Sequence, residues 1–69
     1  MIEVGILKKW DSTNYQADVQ LTTSATYFDR IAVARNIASA DMIIGRHVIV
    51  AVPDNNPKDA VVIAVFIPM

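Results

Sequence analysis

The chain carries one histidine, His47, and no cysteine. A single imidazole beside Arg46 cannot hold a metal without carboxylate help, and no cluster has ligand spacing. As a general base it would need a positioned nucleophile or substrate, and none is marked nearby. Asp54, Asn55, Asn56 and Asp59 gather oxygen ligands in one loop, but the loop is short, with no glycine at its turn and no closing glutamate. Turn chemistry accounts for those residues, with Pro53 and Pro57 fixing the backbone. Ser12, Thr13, Ser24 and Ser39 have no triad context. Gly5 and Gly45 are the only glycines, so a phosphate loop and a dinucleotide fingerprint are both excluded. The expectation is a protein with no catalytic residue, no cofactor and no metal, and not an enzyme.

Lys8, Lys9, Trp10, Tyr15, Tyr27, Phe28, Arg30 and Arg35 combine cations with aromatic rings, the mixture that stacks bases beside a positive groove. Against that reading, six basic and seven acidic residues give a net charge of −1. A dedicated nucleic-acid binder carries a basic excess. A small core also needs its aromatic side chains for packing. Single-stranded nucleic-acid binding is therefore the weaker alternative.

The elements that must position these residues are strands. Ile2, Val4 and Ile6 alternate with Glu3 and Gly5, the period of a half-buried strand, and Gly5 is a place for a bulge. Asp11-Ser12-Thr13-Asn14 reads as a turn. Tyr15, Ala17, Val19 and Leu21 then alternate with Gln16, Asp18 and Gln20, which predicts an antiparallel hairpin with the first set inward. Thr22 to Thr26 is a polar connection. Tyr27 to Ala34 is a third strand with Tyr27, Ile31 and Val33 inward and an irregularity around Phe28-Asp29-Arg30. Arg35 to Ile44 is the one helical candidate, one or two turns at most. Asn36 or Ser39 would cap it, Ile37, Ala40 and Ile44 would form its stripe, and Gly45 would end it. Gly45 to Val52 and Ala60 to Ile67 are apolar β-branched runs around a turn-rich loop, the mark of a second hairpin. Three strands, a short helical turn and two strands make the order of a five-stranded OB-like barrel, with an SH3-like barrel as the alternative. The 69 residues form a single small β-barrel domain.

The succession Gly5-Ile6-Leu7, the Asp11–Tyr15 turn, Ala17-Asp18-Val19-Gln20-Leu21, Ile31-Ala32-Val33-Ala34, Gly45-Arg46-His47-Val48-Ile49-Val50 and Asn56-Pro57-Lys58-Asp59-Ala60-Val61-Val62-Ile63-Ala64-Val65 covers most of the chain. It resembles the small OB-fold domains of phage tail spike and baseplate assembly proteins. The resemblance implies an assembly or hub role, in a virion-associated or cytoplasmic setting. It brings no catalytic motif and none of the long β-helical spike that such proteins often append.

Hydrophobic residues make up 54% of the chain and charged ones 19%, against roughly 45–50% and about 25% in ordinary domains. A domain this small has proportionally more surface to solvate, so the imbalance predicts self-association. The last two strands are apolar at consecutive positions, and a pleated strand sends neighbours to opposite faces. Whichever face is inward, large apolar side chains face out. With Val48, Val50 and Val52 inward, the expected contact between copies comprises Ile49, Ala51, Val62, Ala64 and Phe66. The expected partners are copies of the chain itself and other assembly proteins. The longest apolar run, Ala60 to Pro68, is too short for a membrane helix. Met1 to Gly5 lacks the basic n-region and cleavage site of a signal peptide.

Overall fold

The computed structural model describes residues 1–68. Five strands, β1 (Ile2–Asp11), β2 (Gln16–Leu21), β3 (Tyr27–Val33), β4 (His47–Ala51) and β5 (Val61–Phe66), close into a ring in the order β1-β2-β3-β5-β4. All pairings are antiparallel except β3 with β5, which run parallel over two residue pairs, Ala32–Val61 and Val33–Val62. Pairing of β1 with both β2 and β4 closes the ring. The all-β class, the five strands and the short turn between β3 and β4 match the expectation.

That turn is a single 3-10 turn, Ser39–Asp41. Neither Asn36 nor Ser39 caps it; Ala38 precedes it without a side-chain bond. Ile37 and Met42 are buried, whereas Ala40 and Ile44 face solvent. Three residues are too few to generate a helical stripe, so the chain is anchored through the side chains that flank the turn. Gly45 follows with φ of 98°, a left-handed geometry that favours glycine. Two more 3-10 turns, Pro53–Asn55 and Pro57–Asp59, form the β4–β5 loop. Asn56 accepts a bond from the Lys58 backbone N–H at 3.1 Å and donates to Asp59 at 3.3 Å. These loop polar groups are therefore engaged in shaping the turn.

The core is built from Leu7, Val19, Val48, Val50, Val52 and Val62, with Ala17, Leu21, Phe28, Ile31, Val33, Ile37, Met42 and Ala60 around them. Three irregularities decide which side chains enter it. In β1 the register shifts between Leu7 and Lys9, so the bulge is at Lys8 and not at Gly5. Gly5 pairs regularly with Leu21 and Val48 and is buried. Its role is close approach: a Cβ there would lie 2.3 Å from Val19 Cγ1. Gly5 and Leu7 thus face inward, and Ile2, Val4 and Ile6 face outward, so the alternating apolar set lies on the outer side.

In β3 the expected irregularity is present. Arg30 has φ of 50°, and two β2 steps match three β3 steps between Ala17–Ile31 and Val19–Phe28. The extra residue puts Phe28 in the core and leaves Tyr27 46% exposed, exchanging their expected places. In β5 a shift at Ile63 separates the pairs Ile49–Ala64 and Val50–Val62. Val62 therefore faces inward and is fully buried, while Ile63 is 42% exposed and Ala64 and Phe66 face outward.

Replacing Gly5 by alanine forces a methyl group into Val19 and is expected to cost about 1–3 kcal/mol, the usual penalty of overpacking. Urea denaturation should show a lower midpoint with an unchanged slope.

Candidate functional site

The register corrections assemble one surface. Cα partners across the sheet share a face, so the pairs Ile2–Ala51, Val4–Ile49 and Ile6–His47 all point outward from β1 and β4. On the other side of β4, Ala51–Val61, Ile49–Ala64 and His47–Phe66 do the same. Ile63 adds its side chain at the bulge. Where β1 pairs with β4, from Ile2 to Ile6, and along the outward pairs of β4 and β5, this face is apolar except for His47, with Ile49 near its centre. Of the expected contact residues, Ile49, Ala51, Ala64 and Phe66 lie together here. Val62 does not, because the Ile63 bulge turns it into the core. Ile2, Val4, Ile6 and Ile63 belong to the face and were not expected there. A strand alternating Ile-x-Val-x-Ile reads inward by default, and only the outward apolar residues of its neighbours reveal the reverse.

Contiguous exposed apolar patches of more than a few hundred Å² are uncommon on monomeric proteins and mark interfaces. The chemistry available to this face is burial of hydrocarbon and little else. His47 packs its ring on Phe66, centroids 5.6 Å apart and tilted by 48°.

Of the residues considered for nucleic acid, Lys9, Trp10 and Arg30 line one groove with Tyr15 packed on Trp10, whereas Phe28 is withdrawn from it. Phe28 is buried in the core, filling the space under the β3 bulge. Tyr15 is half-buried and pinned: its hydroxyl donates to the Ile37 carbonyl at 2.6 Å, Arg35 lies over its ring at 5.3 Å, and Trp10 meets it edge-on at 4.8 Å. Trp10 donates from Nε1 to Ser39 Oγ at 3.0 Å. These contacts tie the β3–β4 connection to the end of β1 and β2, a structural use of the aromatic rings. Lys8 is exposed at the β1 bulge. Lys9, Trp10 and Arg30 line a shallow groove of about 220 Å³ together with Asp11, Gln16, Ala17, Asp18 and Asp29. Three carboxylates among those residues offset its two cations, which does not suit a phosphate backbone.

Asp18 lines this groove. It was expected to face water, yet it is only 6% exposed. One carboxylate oxygen accepts the Arg30 N–H at 2.8 Å, and the other accepts the Tyr27 hydroxyl at 2.9 Å. Burial pushes its carboxyl up, but the Arg30 N–H, the Tyr27 hydroxyl and the Lys9 charge outweigh this and hold it below the ordinary value. Desolvation, then the bond to Asp18, pushes the Tyr27 hydroxyl up. Asp18 thus secures the left-handed residue of the β3 bulge. Among the described residues no group of three or more metal-ligating side chains converges, and no helix is long and apolar enough to cross a membrane.

Comparison with known proteins identifies no relative: no family model matches the chain, and no curated protein or solved structure is significantly similar to it.

Removing the Asp18 carboxylate with alanine orphans the Arg30 N–H and is expected to cost about 1–3 kcal/mol. Because its folded pKa is depressed, the carboxylate's contribution is present above the unfolded value near 3.8. It is lost as pH falls below that and through the folded value. Denaturation between pH 6 and pH 2 should show the wild type losing more stability than Asp18→Ala.

Proposed function

We propose that the chain is a non-enzymatic structural subunit that assembles with copies of itself through the outer face of β1-β4-β5. The observation that supports this is the three-strand apolar face with a single ionisable side chain. Burying each large apolar side chain contributes roughly 1.5–3 kcal/mol. Several such residues together supply the energy of a stable association. A face without charged side chains is best covered by another apolar face, and each copy carries one.

Size supports the same reading. The molecule measures 29 × 28 × 17 Å, and a standard interface takes about 800 Å² from each partner. Association therefore engages most of one side of so small a block. The strand order, with β1 between β2 and β4, suits an OB-type barrel, and we take the chain to be an assembly component of the phage tail or virion type. The barrel acts as a rigid spacer whose polar β2–β3 side stays available to other assembly proteins. Nucleic-acid binding has less support, because Phe28 is buried, Tyr15 is pinned and the groove holds carboxylates.

Light scattering on the purified chain at micromolar concentration should report an oligomer. Ile49→Glu, which places an unpaired charge at the centre of the contact, should raise the dissociation constant by at least about a hundredfold while leaving the fold intact by circular dichroism. A strict monomer for the wild type would overturn the proposal. Titration of Trp10 fluorescence with a single-stranded oligonucleotide at low salt should give no salt-dependent quenching; such quenching would favour the nucleic-acid reading.

A further inference from the structure

Resting on that reading of the β1-β4-β5 face, we propose that the second copy seats over His47, and that assembly consequently excludes a proton and is released by acid. His47 opens β4 with Ile6 of β1 on one side and Phe66 of β5 on the other. It is the sole ionisable side chain among the outward pairs of β1 with β4 and β4 with β5, and is already half-buried in one copy. Among the described residues its ring makes no hydrogen bond, and no carboxylate lies within ion-pair distance of it.

Its strand partners on either side are uncharged. Ile6 and Phe66 carry no charge, and Gln20 of β2 lies beyond Ile6. Lys8 stands at the bulge farther along β1. Arg46 precedes the histidine and is paired with Asp41 at 3.9 Å. Glu3 belongs to the other face of β1, opposite Val50. A neutral imidazole can be buried against hydrocarbon at modest cost. An imidazolium in the same place would be a desolvated, unpaired charge.

A second copy fits as the occupant because it presents the same uncharged apolar face. A partner rich in carboxylates could pair with imidazolium, but it would leave the surrounding isoleucines and valines uncovered. Covering the ring disfavours its charged form, so free chains bind the proton better than assembled ones. Association is therefore favoured with the imidazole neutral and weakens as acid protonates it. Each unit of difference between free and assembled chains is a factor of about ten per histidine.

Sedimentation equilibrium of the full chain at pH 8 and pH 5 tests this, with circular dichroism to verify folding at both. The wild type should dissociate with a constant at least about tenfold higher at pH 5, whereas His47→Phe should associate equally at both values. If the phenylalanine variant does not fold, His47→Gln supplies the same reading with a neutral polar ring substitute. Equal association of the wild type at both pH values overturns the proposal and leaves the contact face standing. Full pH dependence in the His47 variants also overturns it. A wild type that is monomeric at both values overturns the contact face and this proposal together.

Discussion

A pleated strand sends consecutive side chains to opposite faces, and a closed ring of five strands has an interior for only one of them. This constraint governs the whole molecule. Val48, Val50 and Val52 fill the interior, and the same alternation carries Ile49 and Ala51 outside. Ile2, Val4 and Ile6 are placed outside by Gly5 and Leu7, which occupy the inner positions of β1. The chain invests in apolar residues on both sides of three adjacent strands, and its outer side is only partly covered. The small fold thus keeps one apolar sheet face open, the face that the proposed self-association would cover.

The bulges refine that layout. An extra residue at Ile63 keeps Val62 and Val65 inward while giving Ile63 and Ala64 to the outer face. An extra residue in β3 brings Phe28 into the core and turns Tyr27 out, where its hydroxyl meets Asp18. Asp18 links the two sides of this bulge with hydrogen bonds in a partly desolvated setting, where such bonds are strong and an unmade one is costly. The polar side of the barrel is thus organised by one carboxylate, and the apolar side by uninterrupted hydrocarbon.

Much of the architecture was legible in the residues. Strand positions, both hairpins, the short turn before β4 and the irregularity near Asp29 follow from alternation and turn chemistry. The failures share one physical origin. Period-2 patterns assign a face only up to a one-residue shift, and bulges supply that shift without a reliable sequence mark. Hence the alternation in β1 leaves its face open, Tyr27 and Phe28 exchange places, and Val62 turns inward against expectation. Gly5 looked like a bulge because glycine serves both bulges and close approach; only the proximity of Val19 distinguishes them. Asp18 read as solvated because its partners, Tyr27 and the Arg30 N–H, reach it only through the bulge. The surplus of apolar side chains on the last two strands was visible from composition alone, though its extension across β1 was not.

The most direct test of the central claim is an isotope-filtered NOE experiment on a mixture of labelled and unlabelled chains at neutral pH, which detects contacts between copies only. The account predicts intermolecular contacts among the methyl groups of Ile2, Val4, Ile6 and Ile49 and the ring of Phe66. Their absence, or intermolecular contacts confined to the Trp10 and Tyr27 side, would contradict it.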